Sequence, residues 1–172
     1  MPDTMRHFQP ILSVVVALLL VGCTGGYSFT GASIPPQAKT VSLKQFPNYA
    51  LTVNPTLSQN IYEKLQQKLT QQTPLTFTDV DGDLQFSGEI SDYTTRVSTL
   101  SSTDNAATNR LTITIKVKFT NRYDPRADFE QSFSRYRDYN AERDFSTVEA
   151  SLVSEIVEEL CDDIFNKAVV NW

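Results

Sequence analysis

NRLTITIKVKFTN, residues 109–121, decides the fold. Leu111, Ile113, Ile115, Val117 and Phe119 fall on one side of an extended chain, and Thr112, Thr114, Lys116, Lys118 and Thr120 on the other. A period of two with one apolar and one wet face is the mark of an antiparallel strand covered on one side only. The covering layer has to come from elsewhere in the chain.

Two segments supply it. In NPTLSQNIYEKLQQKLTQQ, Leu57, Ile61, Leu65 and Leu69 recur every four residues, with Tyr62 widening the stripe. Asn54 reads as the N-cap and Pro55 as the first helical residue. At the other end, Val148, Leu152, Val153, Ile156, Val157, Leu160, Ile164, Phe165 and Val169 make a broad apolar stripe behind Ser146 and Glu149, which match a capping box. The outward faces of both helices are polar, and solvated surface is their default reading.

Further strands flank the central one. TVSLKQF predicts a first strand over about 40–46, ended by Pro47-Asn48. LTFTDV, then Asp81-Gly82, then LQFSGEISDY reads as a hairpin. DPRAD makes a turn into a last strand, FEQSFSRYRDY. Residues 98–109 form a long polar loop. The expected fold is α+β: two helices packed on one face of a mainly antiparallel sheet of four to five strands, in the order β-α-β-β-β-β-α.

The N-terminus reads as an address. Arg6 precedes an apolar run, Ile11 to Val21, of a signal-peptide core's length, roughly 7–15 residues, and shorter than the ~20 of a membrane span. Leu20-Val21-Gly22-Cys23 resembles the bacterial lipobox, which implies removal of residues 1–22 and acylation of Cys23. Buried acyl chains anchor a protein without a spanning helix. Residues 23–38 would then be the lipidated N-terminus and a flexible, uncharged tether, and 39–172 the domain. The tether reaches at most about 50 Å. The neutral Thr24 resembles an outer-membrane sorting signal, and the periplasmic leaflet is favoured.

Composition excludes several classes. The only histidine, His7, lies in the segment to be removed, so Ser-His-Asp and Cys-His catalysis and the commonest zinc sites are ruled out. The formal charge of −5 argues against nucleic-acid binding. Cys161 has no partner for an internal disulfide, and its spacing from Val157, Ile164 and Phe165 reads as a buried, inert thiol. Asp79, Asp81 and Asp83 hint at calcium, but the glycine is out of register and Ile90 stands where a bidentate Glu belongs, so a turn explains them better. No cofactor, metal site or catalytic constellation is implied.

Charge is unevenly spread. Residues 110–137 hold seven bases and three acids, while the last helix holds six acids (Glu149, Glu155, Glu158, Glu159, Asp162, Asp163) against Lys167. Ordinary solvated strand surface accounts for this. The functional reading is a basic face formed by Arg110, Lys116, Lys118, Arg135 and Arg137 that meets lipopolysaccharide or an acidic partner.

GYSFTGASI, VNPTLSQ, GDLQFSGEI, NRLTITIKVKFTN, DFEQSFSRY and DIFNKAVVNW together resemble the lipopolysaccharide-assembly lipoprotein family LptE, in its Bacteroidetes-type branch. The resemblance implies a non-enzymatic outer-membrane lipoprotein. It would act as plug and assembly partner of the LptD β-barrel and could bind lipopolysaccharide itself. The alternatives are a periplasmic adaptor or scaffold of another envelope-assembly complex, and a carboxylate-based glycan hydrolase. The hydrolase would need two acids converging about 5–10 Å apart, whereas the acids here are mostly strung along the last helix.

Overall fold

A computed structural model of the chain describes residues 34–98 and 107–170. Every described residue belongs to one compact unit, Ala32–Trp172. Cys23, the proposed signal segment and most of the 98–109 loop lie outside the described residues.

The elements are β1 (Thr40–Leu43), α1 (Leu57–Gln72), β2 (Thr76–Phe77), β3 (Leu84–Ser98), β4 (Thr108–Asn121), a 3-10 turn (Pro125–Ala127), β5 (Phe129–Asn140) and α2 (Phe145–Phe165), which ends in a π turn over Asn166–Val170. The sheet order is β2-β1-β3-β4-β5. β3, β4 and β5 are antiparallel neighbours, as expected. β1 runs parallel to both β2 and β3, so the sheet is mixed.

That parallel insertion corrects the expected hairpin at Asp81-Gly82. β2 and β3 do not pair with each other, because β1 lies between them. The dipeptide instead carries the chain across the backbone of β1. Asp81 takes the left-handed conformation at φ 48. A Cβ at Gly82 would sit 2.4 Å from the Ser42 nitrogen, so only glycine fits beneath the crossing. An Asp-Gly signal reports a local reversal of the chain and not the identity of the neighbouring strand.

Asp83 ties the crossing down. Its Oδ2 accepts from the Lys39 and Thr40 amides and the Thr40 hydroxyl at 2.9–3.0 Å. Arg122 approaches the other oxygen at 3.4 Å. Those bonds, led by the Lys39 amide, hold the Asp83 carboxyl below its ordinary value. The carboxylate faces β1, while Asp79 and Asp81 are exposed.

Both helix starts also differ from expectation. Thr56, not Asn54, occupies the N-cap of α1. Asn54 folds into a turn just before it, with its Oδ1 accepting from the Thr56 amide at 3.1 Å. For α2 the cap is Asp144, whose carboxylate takes the Ser146 amide at 3.0 Å. A stronger acceptor two residues upstream displaces the Ser146–Glu149 box and leaves Glu149 free for other bonds. Both are asparagine or aspartate, which compete readily for local backbone donors.

The core lies between the sheet and the helices. Leu57, Ile61, Leu65 and Leu69 of α1, and Ile156, Leu160 and Ile164 of α2, are fully buried against Leu111, Ile113, Ile115 and Val117. An aromatic row, Phe86–Phe119–Phe129–Phe133, crosses β3, β4 and β5, with neighbouring ring centroids 4.9, 5.4 and 6.2 Å apart. Phe46, just after β1, tucks under Gly88 of β3 and is fully buried. Ala38 is buried and Ile34 packs on the core, so residues ahead of Lys39 join the fold.

Candidate partner-binding face

Two helices cover one face of the sheet, and strand register fixes what the other face presents. On β3 it shows Gln85, Ser87, Glu89, Asp92, Thr94 and Arg96, opposite Thr120, Lys118, Lys116, Thr114, Thr112 and Arg110 of β4. On β5 it shows Glu130, Ser132, Ser134, Tyr136 and Asp138. Serine, threonine and charge dominate, and Tyr136 is the one aromatic ring among these residues.

The face has two charged ends joined by a hydroxyl belt. At the lower end Lys116 meets Glu130 at 2.5 Å, with Glu89 directly across on β3. The Glu130 hydrogen bond raises the Lys116 ammonium and the same bond holds the Glu130 carboxyl down. Ser87, Gly88, Glu89, Lys116, Lys118 and Glu130 line a shallow depression of about 280 Å³. In the belt, Thr114 and Ser134 share a hydrogen bond of 2.9 Å. At the upper end Arg110 grips Asp138 with two bonds of 2.7 and 2.8 Å. Its guanidinium lies 3.7 Å over the Tyr136 ring, a cation–π contact.

The structure divides the five residues expected to form a basic face. Arg110, Lys116 and Lys118 lie on the open face. Arg135 and Arg137 stand opposite Ile113 and Leu111, on the helix side. There Arg135 bonds Asp163 through two contacts of 2.7 Å. Arg137 spans Glu155 at 2.8 Å and Glu159 at 2.6 Å. The Glu159 and Glu155 bonds raise the Arg137 guanidinium further.

Parity in the sequence carries this signal. Arg135 and Arg137 share the odd positions of Phe133 and Tyr139, both buried on the core face. The acids of α2 show the complementary pattern. Glu155, Glu159 and Asp163 recur every four residues and face β5. Glu158 and Asp162 form a second stripe that meets Lys64 and Lys68 of α1. Much of the apparent contrast between basic strands and acidic helix is thus neutralised inside the domain. On the open face the four bases Arg96, Arg110, Lys116 and Lys118 are matched by the four acids Glu89, Asp92, Glu130 and Asp138. Lys118 is exposed and makes no ion pair among the described residues.

The fold has counterparts. The LptE lipopolysaccharide-assembly family matches residues 38–168, well over half of the chain. The chain belongs to the LptE family. The match covers every strand and both helices, so LptE membership describes the whole folded unit. Among solved structures, this LptE chain is similar to a minor lipoprotein of Acinetobacter baumannii at 15% identity and TM-score 0.50, over 76% of this chain and 91% of that one. It is also similar to lipoprotein B of Nitrosomonas europaea at 11% identity and TM-score 0.52, over 76% and 81% of the two chains. At these identities the likeness is one of fold. No functionally curated protein matches the sequence.

No local pattern in the sequence marks the Asn54–Glu149–Tyr93 cluster, whose members lie far apart in the chain. Tyr93, 2% exposed, donates to Glu149 Oε1 at 2.5 Å, and the Asn54 amide donates to the same oxygen at 2.8 Å. The cluster links β3, α2 and the segment before α1. Among the described residues there is no cluster of metal-ligating side chains and no helix long and apolar enough to cross a membrane.

Proposed function

We propose that this LptE-family chain is a non-enzymatic outer-membrane lipoprotein of the lipopolysaccharide translocon. In this reading, acylated Cys23 anchors it to the periplasmic leaflet. The domain serves as plug and assembly partner of an LptD-like β-barrel while lipopolysaccharide passes to the outer leaflet. One observation carries the reading beyond family membership: a broad, charge-balanced, hydroxyl-rich sheet face left open by two helices that cover only the other side. Barrel lumens are polar, and a surface of Thr, Ser and equal numbers of acids and bases is polar in the same way.

Lipopolysaccharide contact is assigned to the lower end of the open face, where Lys116 and the unpaired Lys118 lie side by side on β4. Arg110 completes the open-face set. Arg135 and Arg137 support the site indirectly, by fastening α2 to β5.

Depletion of the protein followed by a surface lipopolysaccharide assay tests the role. Loss of surface delivery is expected, and normal delivery would overturn it. A tagged copy should co-purify with one large β-barrel in stoichiometric amount. Recovery of a complex of several lipoproteins would favour an adaptor or scaffold role instead. Binding of purified lipopolysaccharide should weaken in a folded Lys116→Glu/Lys118→Glu variant, and unchanged binding removes the assignment to that site.

A further inference from the structure

Three sheet edges are exposed, and they are protected unequally. β2 offers two residues. β5 carries Arg135 and Arg137 pointing inward, a common device against edge-to-edge pairing. On β3, β1 covers Leu84–Phe86. Above it Tyr49 N–H donates to the Ile90 carbonyl, and Ile90 N–H to the Pro47 carbonyl, each at 2.9 Å. Past Ile90 no strand covers this edge among the described residues.

The edge becomes free because the neighbouring chain turns away. Asn48 takes the Ala50 amide on its Oδ1 at 3.0 Å, a side-chain turn that bends the segment off the strand direction. Since Ile90 faces Pro47 and Tyr49, its partner Ile115 faces β5. The register steps at Ser91, from Ile90/Ile115 to Asp92/Thr114. Ile113 also faces β5, so Tyr93 opposite it turns its N–H and C=O outward, as do Thr95 and Val97. None of these outward groups has a backbone partner among the described residues.

Side chains along this edge are of two kinds. On the open face Arg96 stands directly opposite Arg110 of β4. Arg110 is engaged by Asp138, while Arg96 is exposed and has no ion pair among the described residues. Like charges directly opposite each other on a sheet repel, so an acid on the vacant side of Arg96 relieves the pair. On the other face Val97 is 80% exposed. Tyr49, Leu51 and Val53 are 69%, 101% and 61% exposed, in a segment that leaves Ile90 and ends at Asn54, which shares Glu149 with Tyr93. An occupant that suits both faces alternates apolar residues with an acid.

We propose that Tyr93–Val97 pairs, backbone to backbone, with an extended loop segment of the barrel partner, whose apolar residues meet Val97 and whose acid lies beside Arg96. The pairing deepens the plug role given above and rests on it. Outward N–H and C=O groups at alternate residues are satisfied together only by another extended backbone. A closed barrel has no strand edge to spare, so the segment comes from a loop folded into the lumen and not from the wall. The added strand stops opposite Asp92, because Pro47 and Tyr49 already hold the next position. Main-chain bonds at this edge then add to the polar side-chain contacts of the open face.

Competition for the barrel tests the pairing. Tagged full-length variants are produced beside the untagged wild-type chain, and the LptD-like barrel recovered per tagged chain is measured. Thr95→Pro removes one outward N–H and leaves the ladder with β4 intact, since an edge tolerates proline. It should lower recovery about tenfold or more, whereas Thr95→Ala, which keeps that N–H, should lose far less. Arg96→Glu should also lower recovery about tenfold. It should not destabilise the domain itself, because it removes the repulsion with Arg110. Circular dichroism and urea unfolding of residues 24–172 report the folding and stability of each variant, and Arg96→Glu decides the matter if the proline variant does not fold. The pairing is overturned, with the plug role intact, if the wild type recovers the barrel and a folded Thr95→Pro or Arg96→Glu variant recovers it equally well. A loss as large in Thr95→Ala assigns the effect to the side chain and also overturns it. If the tagged wild type recovers no barrel, the plug role fails and the pairing falls with it.

Discussion

Tyr93 and Glu149 meet across 56 residues of sequence, with the phenol hydroxyl 2.5 Å from Oε1. The contact joins β3 to the second turn of α2, and Asn54 joins the segment ahead of α1 to the same oxygen. Sheet and both ends of the helical layer are fastened at one carboxylate.

Tyr93→Phe removes one donor to that carboxylate and should cost about 1.5–3 kcal/mol, the range for a hydrogen bond to a charged group. Glu149→Ala leaves both the buried phenol and the Asn54 amide without their acceptor and should cost at least as much. The two losses should fall short of additive in the double variant, because the residues share one contact. Urea unfolding followed by circular dichroism measures all three.

Gly88 leaves no room for a side chain. A Cβ there would stand 2.2 Å from the Lys116 carbonyl oxygen and 2.7 Å from the Phe46 ring. Gly88→Ala should destabilise by about 1–3 kcal/mol through overpacking. The neighbouring Ser87→Ala, on the open face, should change stability by no more than about 0.5 kcal/mol. Urea midpoints compare the pair.

Cys161 is fully buried, with its sulfur 3.9 Å from the Ile61 carbonyl. Burial pushes its thiol up to about 12. In a folded protein spanning residues 24–172, which leaves out Cys23, it should resist maleimide and disulfide reagents at pH 8 and react only on unfolding. Burial, followed by the Glu149 hydrogen bond, also raises the Tyr93 phenol. Above the free thiol value of about 8.5 the unfolded chain releases a proton that the native state keeps. Stability should therefore decline as pH climbs from about 8.5 towards 12, with the Cys161→Ala variant declining less over that interval.

Asp83 governs the acid side. Its carboxyl is depressed first by the Lys39 amide and then by the Thr40 hydroxyl. Its contribution is present above the unfolded Asp value, about 3.9, and is lost as pH falls through the lower native value. Asp83→Asn should be less stable than wild type at pH 7, and the gap should narrow as the pH drops below about 4. Unfolding midpoints across pH 2–7, an interval chosen to span that value, would show it.

The regular elements were legible before any coordinates. Five alternating apolar residues in 109–121 define the central strand, and Leu57, Ile61, Leu65 and Leu69 define the first helix, all of them buried in the structure. These patterns are local, since a period of two or of nearly four specifies which side of an element must leave water. At the start of α2, Ser146 and Glu149 fit a capping pattern, but Asp144, two residues upstream, takes the cap.

The sequence by itself determined that this chain has one wet sheet face and two covering helices, that it resembles the LptE family, and that its one histidine is His7. Tertiary structure decided where β1 lies, because a strand's neighbours depend on which distant edge is free and no local residue encodes that choice. It also decided which charges remain for a partner. Arg135 and Arg137 were spent on Glu155, Glu159 and Asp163 of α2, while Lys118 stayed exposed on the open face. Pairing of charges depends on distances between elements far apart in the chain, and those exist only once the helices have packed.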